Sequence, residues 1–274
     1  MLGWFRFMKK LLVAALGYCK RRPLDKMRRN AENGDAQAQY TLGMMYYAGE
    51  KVSKNYPEAF LWLRRAAEEN GHIEAQFFLG MMYFEGIGTQ QNHSEAVRWY
   101  RRAAEQNYAL AQYSLGFKYL KGEGVPQDYT EAVKWWRKAA EQGFAEAQCN
   151  LGQMYFNGYG VTQDKTEAAR WYRLAAEQGD NLAQFSLGLM CFNGEGVPHD
   201  YLEAVKWYQK AAEQGHADAQ CNLGIMYSKG LGVTRDYEEA VKWYSKAAEQ
   251  GHAVAKALLD LAYASGLAER QGKS

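Results

Sequence analysis

Proline is scarce in this chain: four in 274 residues, with no long runs of β-branched residues. Both deficits argue against a proline-rich linker protein and against an all-β fold. The four cysteines, Cys19, Cys149, Cys191 and Cys221, form no Cys-x-x-Cys pair, which removes the usual zinc and dithiol motifs. No uncharged apolar run reaches 18 residues, so a transmembrane helix is not supported. None of the eight serines has a lysine three residues on, so the Ser-x-x-Lys nucleophile pattern is missing. A net charge of +2 is too small to make nucleic acid the default partner.

What the chain does have is a period. Leu-Gly recurs with its glycine at Gly43, Gly80, Gly116, Gly152, Gly188 and Gly224. Each leucine is followed twenty residues later by a tryptophan: Trp62, Trp99, Trp135, Trp171, Trp207 and Trp243. The spacing is 37 once and 36 thereafter, in the range of helical-hairpin solenoids. Six units follow, at 36–72, 73–108, 109–144, 145–180, 181–216 and 217–252. Each holds an A helix, as in 145–158, and a B helix, as in 128–143. Asp128 with Glu131 predicts a capping box at the start of the B helix, repeated as Asp164/Glu167, Asp200/Glu203, Asp236/Glu239, Asn55/Glu58 and Asn92/Glu95. Gly143 and its equivalents predict C-terminal caps. Residues 24–35 and 253–267 read as half-unit caps, with Asp260 where the full units have the packed glycine, and 268–274 as a disordered tail.

The pattern LG..Y..G.GV..D...A..W...AAE.G resembles the Sel-one-like repeat family, a relative of the tetratricopeptide repeats, over about residues 24–266. The resemblance implies an all-α, αα-hairpin solenoid wound into a right-handed superhelix, and a role as scaffold or adaptor. Some bacterial members of that family are secreted, and a cysteine-rich group is linked to penicillin binding. Departures are Lys51 for the second loop glycine of unit one, Thr89 for a loop valine, and Cys191 for the A-helix tyrosine.

Repeated positions predict packing. Ala147, Leu151, Gly152 and Tyr155 share the A-helix face that meets the B helix, answered by Ala132, Trp135 and Ala139 equivalents, with tryptophan filling the wider end. The opposite A-helix face differs between units. It reads Tyr40/Met44/Tyr47, Phe77/Met81/Phe84, Tyr113/Phe117/Leu120 and Cys149/Gln153/Phe156, then Phe185/Leu189/Phe192 and Cys221/Ile225/Ser228. On the concave side expected for A helices, this stripe is a candidate groove for a peptide or helix, richest in units one to three. Packing between neighbouring A helices is the competing explanation. The B helices carry a basic stripe whose interleaved glutamates predict a solvated, ion-paired surface rather than a nucleic-acid site.

Chemistry is thinly represented. His72, His216 and His252 fall at one position of different units, too far apart to share a metal. Cys149 and Cys221 lie two units apart, beyond disulfide reach. The glycines of NLGQMYFNGYGV (150–161) follow a helix, whereas phosphate loops follow a strand. No cofactor, metal or catalytic residue is expected, and a penicillin-binding or hydrolase-type enzyme is the weaker alternative to an adaptor.

Residues 1–30 hold nine basic side chains and one acidic, while the remainder is net acidic. The segment 1–23 admits three readings: a cleaved export signal ending near Gly17, a basic amphipathic helix placing residues 1–22 on an anionic membrane surface, or a packed or disordered tail. The localisation expected is accordingly cytoplasmic, membrane-peripheral or, after cleavage, exported.

Overall fold

The computed structural model describes residues 24–265. Among them it contains fourteen α-helices and no strand. They are α1 (Leu24–Glu32), α2 (Ala36–Ala48), α3 (Tyr56–Glu69), α4 (Ile73–Glu85), α5 (His93–Glu105), α6 (Ala109–Lys121) and α7 (Tyr129–Glu141). Then follow α8 (Ala145–Asn157), α9 (Lys165–Glu177), α10 (Asn181–Asn193), α11 (Tyr201–Glu213), α12 (Ala217–Lys229), α13 (Tyr237–Glu249) and α14 (Ala253–Ala264). Even-numbered helices from α2 to α12 are the A helices of the six units and odd-numbered helices from α3 to α13 are their B helices. The chain is a helical solenoid of six consecutive repeats, flanked by α1 and α14. Contacts divide it into two compact units, one up to Ala139 and one from Ala140. The basic segment 1–23, with Cys19, and the tail 268–274 lie outside the described residues.

The B helices start as expected, with one correction. Asn55, Asn92, Asp128, Asp164, Asp200 and Asp236 each accept a hydrogen bond from the backbone N–H of the glutamate three residues on, at 2.9–3.1 Å. The reciprocal half of the capping box is not made. The cap's own N–H donates instead to a carbonyl near the end of the preceding A helix, as in Asp164 to Tyr155 at 3.0 Å and Asp236 to Tyr227 at 2.9 Å. The released carboxylates turn to basic neighbours three residues on: Glu95–Arg98, Glu131–Lys134, Glu167–Arg170 and Glu239–Lys242. The cap thereby ties the two helices of a hairpin together as well as starting the second.

Five of the six B helices end in a left-handed glycine, and α5 has Asn107 (φ 66°) in that place. Gly215 has φ +87°; its N–H donates to Ala212, and the next N–H, of His216, reaches back to Ala211. That pair satisfies two carbonyls a helix end would otherwise leave bare. The loop glycines Gly88, Gly196 and Gly232 do more than bend the chain. A Cβ on any of them would strike the carbonyl of the first residue of the preceding B helix: Tyr56, Lys165 or Tyr201. The loop of one repeat thus lies backbone-to-backbone on the previous one. Lys51 adopts the same conformation (φ 58°) while carrying a side chain.

Within each hairpin, the A-helix glycine meets the residue after the tryptophan rather than the tryptophan itself. A Cβ on Gly80, Gly152, Gly188 or Gly224 would stand 2.6–2.9 Å from a ring carbon of Tyr100, Tyr172, Tyr208 or Tyr244. Trp136 plays this part for Gly116 and Leu63 for Gly43. The repeated tryptophans from Trp99 to Trp243 are nevertheless core, 3–7% exposed. Burying a ring of that size contributes roughly 4–6 kcal/mol of transfer free energy before entropy is subtracted.

A glutamine ladder joins repeats. Gln112, Gln148, Gln184 and Gln220 are buried, and each amide donates to an alanine carbonyl at the end of the preceding B helix at 3.0–3.1 Å. The carbonyl oxygens of Gln148, Gln184 and Gln220 accept in turn from Gln178, Gln214 and Gln250 at the end of the next B helix, at 2.7–2.8 Å. These three buried amides are therefore satisfied at both ends, which a buried polar group requires.

Candidate interaction surface

The A-helix stripe is not uniform. Tyr40 is 4% exposed and Met44, Phe77 and Met81 are 1% or less, so four of the six residues proposed for units one and two are core rather than groove. The cover at the first position comes from the residue just before the next A helix. His72, the cap of α4, stacks on Tyr40 with centroids 4.6 Å apart. Tyr108, preceding α6, packs edge-on to Phe77 at 5.6 Å. Met44 and Met81, one turn on, share that burial. A single-helix periodicity cannot show this, because the covering residue lies about thirty residues further on, at the N-cap of the next A helix.

The remainder is accessible in part. Tyr47, Phe84, Tyr113, Phe117, Leu120 and Phe156 are half-buried, and Gln153 is exposed. On α6, Tyr113 and Phe117 meet edge-to-face at 5.0 Å, and Phe117 rests against Trp136 at 5.1 Å. Two rings on one helical turn are thereby fixed in orientation, with Leu120 next along the helix. Gln153 and Phe156 sit on α8, in the other unit.

One departure from the repeat was not singled out in the sequence. The position of buried Met82, Met154, Met190 and Met226 is Lys118 in the third repeat. Its ammonium lies 2.8 Å from Glu123 and over the Phe84 ring at 3.1 Å. Burial lowers its pKa, against the pull of Glu123. Phe84 is stacked by His93 as well, at 4.6 Å.

The basic stripe of the B helices has a structural use. Arg65, Arg102, Lys138, Lys210 and Lys246 each stand 4.0–4.8 Å from the centroid of the tryptophan three residues earlier. Where Leu174 takes that place, Arg170 covers Trp171 from the other side at 4.9 Å. The cations roof the buried rings and keep their charges in water.

The reactive residue types are spent on structure. The Nδ1 atoms of His72, His216 and His252 accept from the N–H groups of Ala75, Ala219 and Ala255, capping the A helices. Cys149, Cys191 and Cys221 are buried and unpaired by disulfide. Burial pushes all three thiols up, Cys191 to about 11, away from the reactive thiolate form. Among the described residues no cluster of three His, Cys, Asp or Glu side chains could hold a metal, and no helix is long and apolar enough to cross a membrane.

A family model described as Sel1 repeat matches residues 36–71, 73–108, 109–144, 145–180, 181–216 and 217–252. Among solved structures, the chain is similar to c5321, a protective antigen present in uropathogenic Escherichia coli strains and displaying an SLR fold. Identity is 40% and the TM-score 0.88, over 92% of this chain and 54% of that one. It therefore spans about half the length of the E. coli protein. It is also similar to a Sel1 repeat protein from Oxalobacter formigenes, with 34% identity and a TM-score of 0.68, over 90% of this chain and 95% of the other. No curated protein matches it significantly.

Proposed function

Because the chain belongs to the Sel1 repeat family, whose members generally serve as protein-interaction scaffolds, we propose that it is a non-enzymatic adaptor. It binds a protein or peptide partner through the concave face expected for its A helices. The observation that carries this is the cluster Tyr113, Phe117 and Leu120 on α6, half-buried and held in place by Trp136. Rings already fixed by packing lose little side-chain entropy when a partner covers their remaining surface, so more of the burial is returned as affinity. Gln153 and Phe156 form a second, more polar contact point on α8. No cofactor or metal takes part, and the tryptophan-stacked cations of the B helices leave nucleic acid disfavoured. Substituting the α6 cluster and measuring partner recovery tests the reading. The charge asymmetry of residues 1–30 favours a second attachment, of residues 1–22 to an anionic membrane, and liposome flotation of the full chain against one lacking them tests it.

A further inference from the structure

Five of the six repeats fill one position with a bulky side chain at the last turn of the A helix: Tyr47, Phe84, Leu120, Phe156 and Phe192. Where it is aromatic, the ring lies against the residue that opens the B helix. Tyr47 meets Tyr56 at 5.4 Å, Phe84 meets His93 at 4.6 Å and Phe192 meets Tyr201 at 5.3 Å. Over Phe156 the partner is the Lys165 ammonium at 5.3 Å. The sixth repeat breaks the series with Ser228. A second filler is missing nearby, because Ala262 on α14 occupies the place of the buried methionines Met154, Met190 and Met226.

The two truncations coincide in space. Between α12, α13 and α14 there is a cavity of about 190 Å³, lined by Ser228, Tyr237, Tyr244, Leu258, Leu261 and Ala262 among others. It is open to solvent on one side, where Leu261 is 64% exposed. A dry apolar cavity of roughly 150 Å³ suffices for a benzene ring. The lining hydroxyls include Ser228, 3.2 Å from the Tyr244 hydroxyl, and Ser265, which donates back to the Leu261 and Ala262 carbonyls. Tyr237 thus stands where Tyr56 and Tyr201 stand, without the ring that packs on them.

We propose that this pocket is a binding site for the phenylalanine side chain of a partner polypeptide. The pocket continues the row of A-to-B ring contacts made in the earlier repeats, and the partner supplies from outside the ring that those repeats supply from within. The site is separate from the α6 cluster, so its failure leaves the adaptor reading untouched.

The experiment uses the full chain and N-acetyl-phenylalanine amide as probe, followed by NMR of Tyr237, Leu258 and Leu261. N-acetyl-alanine amide and toluene serve as controls, and Ser228→Phe and Ala262→Met fill the pocket from within. The proposal expects saturable shifts with the phenylalanine probe, at least tenfold weaker binding of the alanine probe, and loss of the response in both variants, with Ser228→Phe melting no lower than the parent. Absence of a saturable response in the parent overturns it, as does an equal response in either filled variant that remains folded. Binding of toluene without binding of the phenylalanine probe overturns the assignment to a polypeptide.

Discussion

Gly152 of α8 lies directly under the ring of Tyr172 of α9: a β-carbon at Gly152 would stand 2.9 Å from Tyr172 Cδ1 and 3.0 Å from Cγ. This explains why a helix accepts a glycine that costs roughly 1 kcal/mol against alanine. Gly152→Leu overpacks the crossing and should lower stability by roughly 1–3 kcal/mol in chemical denaturation. Tyr172→Ala should cost less in that background than in the parent, because the two residues are in contact. Additive effects, or an unchanged midpoint for Gly152→Leu, would contradict the close-contact account.

The glutamine ladder predicts a different asymmetry. Gln184 is buried, donating to the Ala176 carbonyl at 3.0 Å and accepting from Gln214 at 2.8 Å. Gln184→Leu strands that carbonyl and should cost about 1–3 kcal/mol. Gln214→Ala should cost less, since Gln214 is exposed and water can replace its amide. Equal losses from the two variants would argue against the ladder as a load shared through Gln184.

How far these contacts were visible beforehand differs by type. The hairpin boundaries were legible because every repeat solves one packing problem: the Leu-Gly and tryptophan spacing places α8 and α9 within a residue or two. Gln148 and its equivalents also recur in all six units, but a glutamine on a helix reads as solvent-facing until the neighbouring helix end that it caps is in place. The ring that faces the glycine, Tyr172 beside Gly152, was not named from the sequence, because Trp171 and Tyr172 are both aromatic and only the packed helices show which of them meets the glycine. Tyr40 and Phe77 read as groove from their own helices because what buries them, His72 and Tyr108, sits at the N-cap of the next A helix.

Lys118 offers a test of burial against charge. Restoring the repeat's own residue with Lys118→Met removes a mostly buried ammonium, and its partner Glu123 is 39% exposed and can return to water. Replacing a buried ion pair by a well-packed apolar side chain is often neutral or stabilising by 1–4 kcal/mol. Lys118→Met should therefore unfold at an equal or higher denaturant concentration than the parent, and a clear loss of stability would show that the pair with Glu123 and the contact with Phe84 outweigh the desolvation.

The helix-capping histidines predict acid sensitivity. With Nδ1 accepting from the backbone, Nε2 carries the proton, and in His72 it donates to Gln37 at 3.4 Å. Burial lowers the pKa of His72 and His216, against Glu74 at the first and Asp218 and Asp180 at the second. The folded state thus binds these protons less readily than the unfolded chain. Stability is complete above the unfolded imidazole pKa of about 6.5 and falls as the pH drops through the lower folded values. His72→Asn with His216→Asn keeps an N-cap without the titration. Denaturation between pH 7.5 and 5 should show a shallower loss for the double variant; parallel curves would contradict the assignment.

The adaptor reading turns on the α6 cluster. Its most direct measurement is quantitative affinity purification with the full chain and with a Tyr113→Ala, Phe117→Ala, Leu120→Ala variant shown to be folded by circular dichroism. Lys134→Ala on a B helix serves as control. The account predicts partners recovered with the parent and the control and reduced at least tenfold with the triple variant. Undiminished recovery with the folded triple variant would contradict it.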